Sequence, residues 1–174
     1  MVMDRKGARV PALVRLHPIS EQAAAAILAG QPPPNLHVAA DYPTEFSLGV
    51  AEQVGRASLL GPFFILRAED DLVIGEIGGG LVAPGEAEIG YAIVGSCWSH
   101  GYATAAVQAL IARAGGVRDI KRLVAHTPLD RPASGRVLQK AGFTYAGETD
   151  DEHAGQPIRV SRWVLILKRG DGTG

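Results

Sequence analysis

The chain from Glu86 to Val94 leads through Gly95-Ser96-Cys97-Trp98 into Ser99-His100-Gly101-Tyr102-Ala103-Thr104. This pattern predicts a strand over 86–94 that passes through a short polar loop into a helix. The first N–H groups of a helix have no intrahelical partner, and the macrodipole places partial positive charge there. Loop 99–104 therefore suits an anion, best a phosphate or pyrophosphate. An ordinary βα turn has the same outline, so the loop alone leaves both readings open. Two nucleophilic readings overlap it. Cys97-Trp98-Ser99-His100-Gly101 is a near miss to the G-x-S-x-G elbow, and Asp130 and His153 follow in the order of a triad, which would make a serine hydrolase with Ser99 as nucleophile. The first glycine of that motif is missing. Cys97 beside His100 has the composition of a thiol nucleophile, although a lone buried cysteine is the plainer reading. Gly78-Gly79-Gly80-Leu81-Val82-Ala83 fits G-x-G-x-x-A, but Pro84-Gly85 follows where a dinucleotide site needs a helix.

The elements that must hold these residues can be read from punctuation and periodicity. Residues 1–9 form a polar, flexible lead-in, and Val10–Leu16 is a first strand. Ser20 caps an alanine-rich helix that Gly30 closes. Pro32-Pro33-Pro34 enforces a loop, with a short helix near 46–55. Strands 63–68 and 72–75 flank Glu69-Asp70-Asp71 as a tight hairpin, and the second runs on through glycines 78–80. After strand 86–94, apolar Ala103, Ala106, Val107, Leu110, Ile111 and Ala114 recur on one face of a helix over 103–114. A strand over 122–127 and a helix over 132–140 follow. Two last strands, 143–146 and 160–167, enclose a polar excursion over 147–157. Three antiparallel strands leading into a βαβ unit predict an α/β (α+β) domain over 10–168. Its sheet of about seven strands is mixed and mostly antiparallel, with helices on its faces and a parallel pair after strand 86–94. Residues 169–174 form a flexible tail.

Composition narrows the classes. The chain has 174 residues, 47% of them hydrophobic, enough to build one core. Its 17 basic and 18 acidic residues nearly cancel, so bulk charge predicts neither a nucleic-acid nor a membrane partner. Apolar runs are too short to span a bilayer, and the single cysteine forms no internal disulfide. Both features point to the cytoplasm. The five histidines lack metal-ligand spacing, and no metal is expected.

Three segments in register, Glu88-Ile89-Gly90-Tyr91, Trp98-Ser99-His100-Gly101-Tyr102-Ala103-Thr104, and Ala133-Ser134 with Val137-Leu138-Gln139-Lys140-Ala141-Gly142-Phe143, resemble the Gcn5-related N-acetyltransferases. The similarity is greatest to the branch that acetylates ribosomal-protein N-termini. It covers residues 72–147 firmly, and the element order extends it further. The resemblance implies acetyl-coenzyme A as donor and a primary amine as acceptor, either a protein N-terminus or a small molecule, with direct transfer in a ternary complex. Backbone N–H groups of Ser99, His100, Gly101, Tyr102, Ala103 and Thr104 would hold the pyrophosphate. Gly101 lets the backbone approach the phosphates. The pantetheine arm would pair with Ala92, Ile93 and Val94 where strand 86–94 splays from strand 122–127, with an N–H near Ile93 or Val94 on the thioester oxygen.

The same resemblance points to Glu88 or Glu152 as the base that neutralises the amine. Ser134, at the start of the helix over 132–140, is the candidate acid to meet the departing sulfur, and a capping or packing hydroxyl is the alternative. Three positions depart from the family pattern. Trp98 opens the loop where Gln or Arg is frequent. Arg131 replaces an asparagine near the pantetheine and has the reach for a phosphate. Leu138 stands where many relatives place a tyrosine acid. These departures keep open a non-catalytic module that binds acyl-coenzyme A without turnover. Acceptor choice falls to segments 31–55 and 147–157, where Asp41-Tyr42-Pro43, Glu45 and the acidic run Glu148, Asp150, Asp151 and Glu152 lie. Trp98 and Trp163 read as packing residues. A homodimer is open.

Overall fold

The computed structural model describes residues 2–3, 9–10, 12–56, 58–153 and 155–168. The tail expected over 169–174 lies outside them. Strands β1 (Val2–Met3) and β2 (Arg9–Val10) pair as a small antiparallel ribbon. The first strand expected over 10–16 is thus divided: Val10 belongs to this ribbon, and the main sheet begins at β3 (Val14–Pro18).

Helix α1 (Glu21–Leu28) starts where Ser20 Oγ accepts the Ala23 N–H at 3.1 Å, and it ends before Gly30, which takes φ +71°. Helix α2 (Ser47–Ala51) is shorter than its expected span. Strands β4 (Leu60–Arg67), β5 (Val73–Ala83) and β6 (Glu86–Ile93) follow as an antiparallel meander. A single 3-10 turn, Gly95–Cys97, leads to α3 (Tyr102–Gly115), then β7 (Arg122–Pro128) and α4 (Pro132–Ala141). The hairpin β8 (Thr144–His153) and β9 (Gln156–Ile166) closes the chain.

The seven-stranded sheet has the order β3-β4-β5-β6-β7-β9-β8, and its one parallel pair is β6–β7. Strand alternation divides the side chains between two cores. On one face Phe63, Ile65, Ile77, Ala87, Ile89, Leu123 and Ala125 pack with Ala106, Val107 and Leu110 of α3 and Leu138 of α4. On the other, Phe64, Leu66 and Val73 pack with Ala23, Ala24 and Ile27 of α1 and Val50 and Ala51 of α2. Of the apolar face expected for α3, Ala106, Val107, Leu110 and Ala114 are buried, and Ala103 and Ile111 are half-buried at its edge.

The expected polar excursion over 147–157 is instead mostly strand. The register reaches from Thr144↔Val164 to His153↔Gln156, with a shift between Tyr145 and Glu148 where Gly147 takes φ +98°. Its acidic residues are tolerated on a strand because Arg159 on β9 reaches both Glu148 and Asp150 at 3.2 Å. Cross-strand pairing of opposite charge replaces the repulsion that a carboxylate run would otherwise carry.

Candidate active site

Strands β6 and β7 pair in parallel only at Glu86↔Arg122, Ala87↔Leu123 and Glu88↔Val124. Beyond that rung β6 keeps only its β5 partner, and β7 keeps only β9 through Pro128↔Val160. The sheet therefore opens into a slot. Val94 N–H donates to Ile74 C=O on β5 at 2.8 Å. By the antiparallel alternation of hydrogen-bonded pairs, Ala92 also turns its N–H to β5, whereas Ile93 and Tyr91 turn theirs to the slot. Val94 is thus excluded as a donor to a bound group, and Ile93 N–H is left from that expected trio. The Ile93 carbonyl accepts the Trp98 indole N–H at 2.7 Å. Trp98 is 66% exposed, so its expected role in packing gives way to this hydrogen bond. Trp163 does pack: its N–H donates to Thr127 Oγ1 at 3.0 Å, and its ring lies against Gly135 of α4.

From the slot, β6 leads through the Gly95–Cys97 turn to the start of α3. Gly101 caps that helix at φ +81°, and Ser99 before it also takes a positive φ of 64°. The first helical bond runs from Ala105 N–H to Gly101 C=O at 3.0 Å. The N–H groups of Tyr102, Ala103 and Thr104 precede it and have no partner within the helix. His100 Nδ1 lies 2.6 Å from the Trp98 carbonyl, and its ring stacks on Tyr102. Cys97, by contrast, is buried in the core, which separates the supposed thiol pair.

A cleft of about 290 Å³ occupies the slot itself. The register assigns its walls to the two faces of the sheet. Glu88, Gly90, His126 and Pro128 face the α1–α2 side, where Phe46 covers Gly90. Tyr91, Ala125 and Thr127 face α4, with Ser134 and Leu138. Tyr91 Oη donates to the Ser134 carbonyl at 3.1 Å, tying α4 to β6 across the gap, and burial pushes its phenol pKa up. Leu138 is fully buried and contributes only an apolar wall. Glu152 lies on strand β8 rather than in the loop expected for it. Asp151 pairs with Ile158 and Glu152 with Pro157, so alternation sets Asp151 on the Glu88 face and Glu152 on the opposite one; both border the cleft.

Segment 31–55 is fixed against this cleft by polar contacts. Glu76, fully buried on β5, accepts hydrogen bonds from Thr44 Oγ1 at 2.7 Å and from Ser47 Oγ. Tyr42 packs beside it, and burial and then the Glu76 charge push its pKa up. Asp41 accepts from Ser96 N–H at 2.8 Å and Ser96 Oγ at 2.7 Å, which holds its carboxyl below the ordinary range. Glu45 pairs with Arg131 at the start of α4. Arg131, expected near a phosphate, thus closes the rim between the two halves of the cleft. Of the proposed triad, the His153 side chain lies outside the described residues.

One residue escaped the sequence reading. His126 Nδ1 lies 2.7 Å from Glu88 Oε1 and lines the cleft. On β7, Val124 and His126 alternate with Leu123, Ala125 and Thr127, and only the parallel register sets His126 beside Glu88.

Residues 12–144, more than half of the chain, match the family model for the acetyltransferase (GNAT) domain, and the chain belongs to that family. The serine-hydrolase alternative is thereby set aside. Among solved structures, the chain is similar to RimL, a ribosomal L7/L12 α-N-protein acetyltransferase in complex with coenzyme A. The two share 18% identity over 91% of this chain and 97% of that one, with a TM-score of 0.66. The microcin C7 self-immunity acetyltransferase MccE, in complex with acetyl-CoA and AMP, matches at 20% identity, 95% and 98% coverage and a TM-score of 0.66. A spermidine N-acetyltransferase SpeG chimera from Vibrio cholerae and hSSAT matches at 13% identity, 89% and 96% coverage and a TM-score of 0.64. No curated protein matches the chain by sequence.

Proposed function

We propose that the chain is an acetyl-coenzyme A-dependent N-acetyltransferase that passes the acetyl group directly to a primary amine in a ternary complex. The observation that carries this reading is the slot: it opens after the Glu88↔Val124 rung, beside the strand that leads through Gly95–Cys97 to α3, whose first N–H groups, those of Tyr102, Ala103 and Thr104, have no partner within the helix. When bound, acetyl-coenzyme A supplies an acetyl group already activated as a thioester. The chain's residues fit it. The turn from Ser99 and His100 through Gly101 to Tyr102, Ala103 and Thr104 would cradle the phosphates. Ala92, Ile93 and Val94 form the strand edge along the arm, with Ile93 N–H as the donor, and Arg131 and Ser134 complete the wall. Ser134 would be the hydroxyl that protonates the departing thiolate and regains its proton from water, and alignment between these walls would provide most of the acceleration, about 7–11 kcal/mol at best.

The acceptor enters from the α1–α2 side. Glu88, Asp151 and Glu152 make the cleft acidic and favour a cationic amine. A ribosomal-protein N-terminus and a small polyamine both have the required group, and RimL and SpeG act on amines of these two kinds. Among the described residues no helix is long and apolar enough to cross a membrane; the cytoplasmic location is a proposal that rests on the single cysteine of the sequence. A thiol-release screen with acetyl-coenzyme A over polyamines, drug-like amines and short peptides tests the proposal, alongside melting with acetyl-coenzyme A, NAD or ATP. Turnover with at least one amine and a melting shift with the thioester alone are expected. A shift without turnover favours the non-catalytic module, and no shift at all removes the reading.

A further inference from the structure

We propose that His126 Nε2 takes the proton from the acceptor amine and that Glu88 is the positioning residue that holds the ring; this assignment rests on the acetyltransferase reading. The contact between Glu88 Oε1 and His126 Nδ1 is 2.7 Å. An ionised carboxylate only accepts, so Nδ1 carries the hydrogen and the neutral ring keeps its lone pair on Nε2. The backbone sets the pair. Glu88 stands on the last parallel rung, opposite Val124, and His126 lies two residues further along β7 on the same face, where β6 has already left. The ring therefore lies beside Glu88 where the two strands part, one-fifth exposed against two-fifths for Glu88.

The other charged and titratable groups on the neighbouring elements are engaged elsewhere or line the same cleft. Arg162, opposite His126 on β9, donates to Glu86 at 3.2 Å. Arg122 on β7 also pairs with Glu86. Asp151 and Glu152 on β8, Tyr91 on β6 and Arg131 on α4 border the same cleft, Arg131 held by Glu45.

The proton step balances on these atoms. The ammonium N–H bond breaks and its electron pair stays on nitrogen. The Nε2–H bond forms, and the Glu88 carboxylate offsets the charge of the imidazolium. Such a base contributes about 10²–10⁴-fold.

Three measurements on the full chain test the assignment. The first is ¹⁵N NMR of the histidines in the protein without donor or acceptor, which needs no variant. It should show His126 protonated at Nδ1 and bare at Nε2 on the alkaline side of its transition. The second is kcat and KM against pH for His126→Gln and Glu88→Gln, with an amine found by the screen. His126→Gln should lower kcat by about 10²–10⁴-fold and remove the acid limb of kcat/KM. Glu88→Gln should lose less in kcat than His126→Gln and keep an acid limb, because the base is still present and only its positioning is lost. The third is added imidazole, which should restore part of the rate to His126→Ala. A proton found on Nε2 overturns the assignment. So does a His126→Gln enzyme that keeps the parent's kcat and acid limb while Glu88→Gln loses both, since Glu88 is then the base. A parent that turns over no amine defeats the acetyltransferase reading and this role together; an active parent with an unaffected His126→Gln defeats this role alone.

Discussion

Replacing Gly101 by alanine separates the backbone geometry of the α3 cradle from its chemistry. Gly101 sits at φ +81° and ψ 1°, in the left-handed region. A Cβ built there meets only Leu13 Cδ1, at 3.7 Å, an ordinary contact. The expected penalty is therefore conformational rather than steric, about 1–2 kcal/mol for an L-residue in that region. For a chain of this size each kcal/mol lowers Tm by about 2–4 °C, so a fall of about 2–8 °C follows. The second effect falls on the ligand. A residue that relaxes toward negative φ at the cap turns the N–H groups of Tyr102, Ala103 and Thr104 out of line. The loss of one charge-assisted hydrogen bond to phosphate is about 1.5–3 kcal/mol, or roughly 10–100-fold in affinity for acetyl-coenzyme A. With the thioester at about a thousand times the parent's Kd, ligand stabilisation of the parent is about 4.1 kcal/mol; a tenfold weaker variant shows about 2.7 kcal/mol. Thermal melts with and without acetyl-coenzyme A read both effects, and steady-state kinetics should place the loss in the thioester KM rather than in kcat. If Gly101→Ala keeps the parent's thioester KM and melting shift, the N-terminus of α3 is not where the phosphates sit.

Two other predictions concern the contacts that fix segment 31–55. Glu76→Ala strips the buried acceptor from Thr44 and Ser47 and should cost about 3 kcal/mol in denaturant unfolding, with a raised acceptor KM as Phe46 loosens over Gly90; Glu76→Gln keeps shape and one acceptor oxygen and should lose about 1 kcal/mol. An alanine variant as stable as the parent refutes the anchoring role. Asp41 has its pKa lowered from 3.8 by Ser96, so its contribution is present above that pH and disappears as pH falls through the lower folded-state value. The melting difference between parent and Asp41→Asn should accordingly hold steady near neutrality and close in acid; a pH-independent difference means that the Ser96 contacts do not depend on the charge.

Much of the fold was legible because local chemistry dictates it. Ser20 and Gly30 bound α1, Gly142 at φ +103° stops α4, and the α3 face follows from apolar spacing alone. The loop before α3 was legible for the same reason: small residues and a glycine must turn a strand into a helix there. The β8–β9 hairpin was not. Its acidic run looks like a solvated tip until Arg159 is placed opposite, and that placement depends on a register that no local signal encodes. Glu45 and Arg131 are far apart in sequence and meet only because α2 and α4 approach the cleft from opposite faces.

The register of one parallel pair also decides how the labour of this site is divided. Had β6 and β7 stayed paired to their ends, the Ile93 N–H would be consumed by the ladder, as the Val94 N–H is by Ile74, and no slot would pass through the sheet. Because the ladder stops at Glu88↔Val124, the side chains just beyond it sort by parity. Tyr91 and Thr127 turn to α4, where the donor's arm would lie. Gly90 and His126 turn to α1–α2, where an amine would enter. Gly90 then has a steric reason that sequence could not supply. A Cβ there would fall 2.7 Å from Phe46 Cζ, on the ring that covers the α1–α2 side of the slot. On the proposed reading the two reactants would approach from opposite faces and meet in the plane of the sheet. That geometry calls for a base on the α1–α2 face at the mouth of the gap, which is the position the register gives to His126.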